Sequence, residues 1–152
     1  MKRPTAAATA ALALVLGAAS PSSAQGGPQI RLEPGLWTFD FKVTENGVRA
    51  PDKTDSRCFT EAEVGDLLKT LLGPVEKDKP CTEQQHSVTG RTLSFAGVCK
   101  PRDGLEMAVE GTYVFEDAKH FTHAGRIAWT SGTQKTETSF TADARLAGTC
   151  PK

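Results

Sequence analysis

Two cysteines, Cys81 and Cys99, lie at equal distances from Gly90, and this spacing constrains the fold more than any other feature of the sequence. A β-hairpin that turns at Gly90 would put them directly opposite each other. Directly opposed residues of an antiparallel pair have Cβ atoms about 4.5–5.5 Å apart, close to the about 3.5–4.5 Å that a disulfide requires. The sequence therefore predicts a hairpin closed by a Cys81–Cys99 disulfide.

The N-terminus has the pattern of a cleaved secretory signal. Lys2 and Arg3 precede an apolar run from Ala6 to Ala19, and small residues follow up to Ala24. The run is too short for the roughly 20 residues that span a bilayer. We predict a signal peptide over residues 1–24, export to the periplasm, and one β-rich domain over residues 25–152 with no membrane span after cleavage.

Four cysteines in an exported domain indicate two disulfides. With Cys81 paired to Cys99, the second bond joins Cys58 to Cys150. The alternative is a four-cysteine zinc site, but structural zinc sites usually draw ligands from close pairs such as C-x₂-C. The sequence has no such pair, so we predict neither a metal nor a cofactor.

The charge is balanced, with 18 basic and 18 acidic residues. Cleavage after Ala24 removes Lys2 and Arg3 and takes the net charge to −2. The charges are well mixed along the chain, without a basic block. Because nucleic-acid binding needs a basic face, we expect no nucleic-acid partner.

The first strand is predicted over Gly35 to Val43, where apolar and polar residues alternate with period two. Asn46-Gly47 is a strong hairpin signal. The return strand, Val48 to Arg57, is polar and interrupted by Pro51, which suits an edge or a bulge.

One amphipathic helix is predicted after this hairpin. Thr60 and Glu63 form a capping box at its start, and Gly73 with Pro74 ends it. Its apolar stripe, which we expect to pack on the sheet, consists of Val64, Leu67, Leu68, Leu71 and Leu72.

Three later turns continue an antiparallel meander. The turn Lys100 to Gly104 pairs Cys99 with Leu105, and so Phe95 with Val109. A loop near residue 118 pairs Phe115 with Phe121 and Gly111 with Gly125. A Ser131-Gly132 turn pairs Trp129 with Gln134. These registers agree in placing the large apolar residues on one face, and a slip of one residue would break that agreement.

The resulting fold class is mainly β: an antiparallel meander of about six to seven strands, curled or half-barrel, with one packed helix and two disulfides. Eight aromatic residues are candidate core or ligand-facing positions. They are Trp37, Phe39, Phe41, Phe95, Tyr113, Phe115, Phe121 and Trp129.

With these residues placed, the chain resembles the bacterial domain-of-unknown-function family numbered 3617. The matching motifs are Pro34 to Trp37, Cys58 to Thr60 before a helix, the cysteine pair around Gly90, and Gly148 to Cys150. The segment from Asp52 to Arg57 departs from the family, whose members often have a Met- and Pro-containing loop there. The resemblance implies a periplasmic location and no assigned activity.

Catalytic chemistry has little support in the sequence. His120 and His123 are three residues apart, so on a strand they face opposite sides and cannot share a metal; His86 belongs to another strand. A serine-hydrolase elbow and a phosphate-binding loop are missing from the sequence. Four strand carboxylates are expected on the solvent face: Asp40, Glu106, Glu110 and Glu137. We expect no enzyme activity.

The function expected is a non-catalytic binding module for a small apolar or amphipathic ligand of the cell envelope. The alternative is a protein-binding accessory or inhibitor-type domain that uses its loops. A cavity too large to be a packing fault would favour the ligand, whereas a solid core with an exposed apolar loop patch would favour a protein partner.

Overall fold

The computed structural model describes residues 30–73 and 81–151, with the backbone alone at 81–83 and 102. The predicted signal peptide lies outside the described residues. The described chain forms one antiparallel sheet of eight strands and two short helices. The strands are β1 (Gly35–Glu45), β2 (Val48–Arg49), β3 (Lys53–Phe59), β4 (Cys81–Thr89), β5 (Thr92–Arg102), β6 (Leu105–Asp117), β7 (His120–Ser131) and β8 (Gln134–Gly148), and the helices are α1 (Glu61–Gly65) and α2 (Leu67–Leu72).

The strand order is β2-β1-β8-β7-β6-β5-β4, and β3 also pairs with β1. The last strand therefore lies between the first strand and β7. In the described chain β4 pairs with β5 alone, so the sheet is not closed on itself. The described strands do not close into a full barrel, and the curled or half-barrel form of the meander stays a prediction.

The strand count differs from the predicted six to seven because the polar return strand is split. Asn46 and Gly47 both have positive φ, of 46° and 82°, and form the predicted turn between β1 and β2. The segment around Pro51 then interrupts pairing, since proline has no N–H to donate. Pairing with β1 resumes in β3, from Phe41 opposite Lys53 to Gly35 opposite Phe59.

The cysteine hairpin has the predicted cross-strand pair, but its turn is not centred on Gly90. Thr89 pairs with Thr92, so Gly90 and Arg91 form a two-residue turn. A β-bulge between Thr82 and Gln85 takes up the extra residue and returns Cys81 to a position opposite Cys99. The predicted backbone register at the cysteines is confirmed, and the Cys81–Cys99 bond itself stays a prediction because the Cys81 side chain lies outside the described part.

Two of the other predicted registers are wrong by two residues. Cys99 pairs with Met107 instead of Leu105, because Asp103 and Gly104 form a tighter turn. Trp129 pairs with Thr136 instead of Gln134. Since side chains alternate with period two, a slip of two residues keeps every side chain on its predicted face.

The register between β6 and β7 is confirmed. Phe115 lies opposite Phe121, and Gly111 opposite Gly125. The corrected registers add a partner to each glycine, because Phe95 lies opposite Gly111 and Phe140 opposite Gly125. A Cβ at Gly111 would lie 2.6 Å from Phe95 Cζ, and a Cβ at Gly125 would lie 2.6 Å from Phe140 Cζ. Each ring therefore lies across a glycine.

The predicted bond between Cys58 and Cys150 is present, with Cα atoms 5.5 Å apart. It joins the end of β3 to the segment after β8. Of the two predicted disulfides, this is the one for which the structure describes both side chains. The described residues include no free cysteine.

The single predicted helix is corrected to two. The capping box of Thr60 and Glu63 begins α1 as predicted, but Asp66 leaves helical geometry, with φ −122° and ψ 63°. Gly65 and Asp66 are weak helix formers, so little local energy resists this break. As a result Leu67 is buried, whereas Leu68, predicted for the apolar stripe, is 38 % exposed.

The core lies where the two helices cover one end of the sheet. Trp37 is fully buried at its centre, and its indole N–H donates to the carbonyl of Glu33 at 3.0 Å. The buried cluster comprises Leu32, Trp37, Phe59, Leu67, Leu93, Tyr113, Phe115, Phe121 and Ala144.

Peptide mapping of the oxidised protein should find Cys58–Cys150 and Cys81–Cys99. Urea denaturation of Cys58→Ser should show a loss of about 4–5 kcal/mol, because this bond closes the longer loop, and Cys81→Ser a loss of about 3 kcal/mol. A map that joins Cys58 to Cys81 would contradict both the fold and the hairpin.

Gly111→Val should lower the free energy of unfolding by about 1–3 kcal/mol through overpacking, because the new side chain meets Phe95 and the carbonyl of Ala124. Urea denaturation measures the change. The matched control is Gly148→Val, a strand glycine whose Cβ would have no described atom within 4 Å. Equal stability of the two variants would show that Phe95 does not lie across Gly111.

Candidate ligand groove

One face of the sheet carries the aromatic side chains in successive cross-strand rows. One row contains Phe115, Phe121 and Phe39, and the next contains Tyr113, His123 and Phe41. The rows follow from the alternation of side chains along each strand. The sequence pattern thus builds a continuous aromatic surface across the middle strands.

A cavity of about 480 Å³ opens on these rows, between the sheet, β3 and α2. We call it the aromatic groove. Its apolar lining is Phe39, Phe41, Phe59, Leu71, Tyr113, Phe121 and Ala142, and its polar lining is Asp55, Ser56, Arg57, Thr70 and His123.

His123 is the polar side chain at the floor of the groove. Its ring stacks on Tyr113, with centroids 3.8 Å apart, and meets the edge of Phe140 at 4.9 Å. Burial lowers the pKa of His123 to about 4, so the imidazole is neutral at pH 7. Its Nε2 is buried and has no hydrogen-bond partner among the described residues.

Tyr113 connects the floor to the helical cover. Its hydroxyl donates to the carbonyl of Leu71 at 3.2 Å, and burial raises the pKa of Tyr113 to about 12. Tyr113 therefore stays neutral, and its hydroxyl donates this hydrogen bond to α2. This bond positions α2 over the groove.

Arg57 is the cation that lines the groove. Its guanidinium donates to Glu63 at 2.7 Å and lies 4.8 Å from the centre of the Phe59 ring. Glu63 also accepts from the backbone N–H of Thr60 at 2.8 Å. The Thr60 N–H, then Arg57 and the Thr60 hydroxyl, lower the pKa of Glu63 to about 2. The helix cap thus holds Arg57 in place with a carboxylate that stays charged.

Asp55 is the carboxylate at the rim. It accepts from the backbone N–H of Ser56 at 2.8 Å and from Lys53 at 3.3 Å. These two contacts, the N–H first, hold the pKa of Asp55 below its usual range. The charge of Asp55 is therefore balanced locally by Lys53.

The eight predicted aromatics share this face but differ in burial. Four are buried, namely Trp37, Tyr113, Phe115 and Phe121, and four are half-buried, namely Phe39, Phe41, Phe95 and Trp129. Six of the eight lie in the core cluster or pack against it. Four of the eight line the groove: Phe39, Phe41, Tyr113 and Phe121. Core and groove therefore use the same residues.

The predicted solvent-face carboxylates lie on the opposite face. Glu110 accepts from Arg126, at 2.8 Å, and Glu137 accepts from the same guanidinium at 3.4 Å. His120 also lies there, 3.1 Å from Asp143, so the two histidines three residues apart are on opposite faces as predicted. Within the described chain, no group of three or more His, Cys, Asp or Glu side chains is arranged to hold a metal.

The opposite face also has a concavity, of about 610 Å³. Threonines line much of it, together with Asp40, Lys42 and Asp143. Asp40 accepts from Thr54 at 2.7 Å, and Asp143 accepts from Arg145 at 2.7 Å. The aromatic groove is the better candidate, because four phenylalanines and a tyrosine line it, and aromatic side chains offer a ligand large apolar contact areas.

Sequence reasoning missed the polar members of the groove, above all His123 and Arg57. His123 was considered as a metal ligand alone, although it lies two residues from Phe121 and therefore on the aromatic face. Arg57 lies two residues before Phe59, on a strand whose residues are polar up to Arg57. The period-two rule applied to these residues would have found both.

No helix in the described ranges is both long and apolar enough to cross a membrane.

The family model described as a protein of unknown function (DUF3617) matches residues 32–150. The match covers all eight strands, both helices and the Cys58–Cys150 bond. No curated protein and no solved structure matches the chain. The comparisons thus supply a family but no activity.

The burial of neutral His123 should make the protein sensitive to acid. The folded state has the lower pKa, about 4 against 6.5, so the unfolded state binds the proton first. Stability is complete above about pH 6.5 and falls as the pH drops towards 4, by on the order of 3 kcal/mol at about 1.4 kcal/mol per pKa unit. Urea denaturation between pH 4 and 7.5 measures the loss.

His123→Phe should flatten this pH dependence, since the stacked ring is kept and the titrating nitrogen is removed. His86→Phe, which changes an exposed histidine, is the control and should keep the wild-type profile. A His123→Phe profile as steep as the wild type would show that another group causes the acid sensitivity.

Proposed function

We propose a function for this chain, which belongs to the DUF3617 family of proteins of unknown function. It is a non-catalytic binding module of the periplasm. Its aromatic groove holds a small apolar or amphipathic ligand of the cell envelope. The observation that carries the proposal is the groove of about 480 Å³. Ligand pockets occupy about 300–1,000 Å³, so a groove of this size exceeds a packing fault.

The contacts inside the groove support binding over catalysis. A serine, a histidine and a carboxylate all line it, but Asp55 bonds to Lys53 and to the backbone N–H of Ser56. His123 makes no described hydrogen bond to Ser56 or Asp55. A nucleophile–base–carboxylate relay needs these links, so we assign no catalytic role to the three residues.

Export to the periplasm is part of the proposal. The basic residues, apolar run and small residues before Gln25 support cleavage and export. The Cys58–Cys150 bond suits an oxidising compartment, where disulfides persist. The second proposed disulfide, Cys81–Cys99, is supported by the cross-strand pairing of the two residues.

A protein partner is the weaker alternative. The most exposed large apolar residue described is Val48, at 72 %, directly after the Asn46-Gly47 turn. Single exposed apolar residues are common on soluble proteins and need no partner. The groove therefore favours a small ligand.

Blocking the groove should abolish binding of the amphipathic probe anilinonaphthalene sulfonate. Ala142 is buried and lines the groove, so we expect Ala142→Phe to weaken the probe at least tenfold in a fluorescence titration. The control is Ala124→Phe, an exposed alanine of the neighbouring strand on the opposite face. Far-ultraviolet circular dichroism checks that both variants fold.

Native mass spectrometry of the wild-type protein, isolated from periplasm without organic solvent, is the second measurement and does not depend on the variants. A stoichiometric added mass is expected. A folded Ala142→Phe variant that binds the probe as the wild type does, or a bare mass at every concentration, would overturn the proposal.

A further inference from the structure

The aromatic face of the sheet continues beyond the groove and beyond the helices. Met107 pairs with Trp129, and Val109 with Ile127, on the same face as Tyr113 and His123. We call these four residues, with Phe95 and Phe140, the distal strip. All six are half-buried, and of the six only Phe95 packs against the cluster that the helices close.

The distal strip is continuous with the groove. The His123 ring lies 4.9 Å from Phe140 and 5.9 Å from Phe95, between centroids. Phe95 and Phe140 lie across Gly111 and Gly125, so one layer of rings and then the Val109–Ile127 row separate the groove floor from Trp129. His123 and Trp129 are six residues apart on one strand, a distance of about 20 Å. Arg57 pairs with Trp37, two rows before the His123 row on the helix side, so an extended long-chain alkyl group that starts at Arg57 crosses the groove first and then runs along the strip towards Trp129.

The groove has a positive charge at its helix end, away from the distal strip. Arg57 lines the groove, and in the described contacts one of its N–H groups donates to Glu63. A guanidinium has five such donors in a planar fork that matches a carboxylate. The neighbouring carboxylate, Asp55, is balanced by Lys53. Arg57 therefore keeps donors for an anionic group that enters the groove.

We propose that the ligand is a free long-chain fatty acid, with its carboxylate at Arg57 in the groove and its alkyl chain along the distal strip towards Trp129. This inference rests on the proposed function and names the ligand class of the same site. Apolar contact along the strip supplies affinity, and Arg57 selects the carboxylate.

Chain length is the first test. Saturated carboxylates from C8 to C18 are titrated below their micelle concentrations against the wild-type protein loaded with anilinonaphthalene sulfonate. Affinity should rise about three- to fourfold for each added CH₂ while the strip buries it, and then level off. Equal affinity for all chain lengths would overturn the role of the strip. If no carboxylate displaces the probe, the groove remains a binding site but the proposal of a fatty acid ligand is overturned.

The direction of the chain is tested with bromine, which quenches nearby tryptophan. The chain has two tryptophans, and Trp37 is buried in the core. A fatty acid brominated near its methyl end should quench Trp129, and one brominated beside the carboxylate should not. The Trp129→Phe variant reports Trp37 alone and serves as the control. Stronger quenching of Trp129 by the carboxylate-end bromide would overturn the proposed orientation.

The head group is tested by charge. Arg57→Gln should weaken long-chain carboxylates at least tenfold and leave the primary alcohol of equal chain length unchanged. Lys135→Gln, which removes an exposed cation on the opposite face of the sheet, is the control and should have little effect. Equal binding of alcohol and carboxylate by the wild type, or tighter binding of a lysophospholipid of equal chain length, would overturn the carboxylate assignment. A dimer in sedimentation that shields Trp129 would assign the strip to a second copy of the chain.

Discussion

The apolar face of this sheet is longer than the two helices that cover it, and the rest of the structure depends on that mismatch. Period-two alternation sends the aromatic, leucine, isoleucine and methionine side chains of β5 to β8 to one face and leaves Val98 and Val114 on the other. The helices close the end around Trp37, where the side chains are buried. Towards Trp129 the same face is half-buried, and the groove lies where cover gives way to open sheet. A site therefore forms without any special loop.

Tyr113 and His123 join these two regions. The tyrosine hydroxyl bonds to α2 while its ring stacks on the imidazole. Keeping a neutral histidine at this position carries a cost, because a buried polar atom without a partner disfavours the folded state by about 1–3 kcal/mol. A phenylalanine would fill the same space without that cost. An aromatic bed and a buried nitrogen that no described residue bonds are the observations behind the proposed ligand site.

Three local irregularities adjust how the strands and helices pack together. The bulge at residues 83–84 corrects a turn that is one residue off centre, so that Cys81 still faces Cys99. Phe95 and Phe140 occupy the space that side chains at Gly111 and Gly125 would take. The break at Asp66 turns Leu67 inward at the expense of Leu68. The bulge and the two ring positions cannot be predicted from local propensity, because their cause lies on another strand, whereas the weak helix propensity of Gly65 and Asp66 allows the break locally.

The sequence by itself determined which face each strand residue occupies, where the Asn46-Gly47 turn and the Thr60 capping box lie, and to which family the chain belongs. These depend on the parity of alternation, on backbone preferences of single residues and on the order of motifs, all of which are local. Only the tertiary structure decided the β5–β6 and β7–β8 registers, the split of the helix, the absence of barrel closure among the described strands and the assembly of Arg57 and His123 into one groove. Parity cannot detect a slip of two residues, and the free energy that selects among such registers comes from rings packing across strands that are distant in the chain.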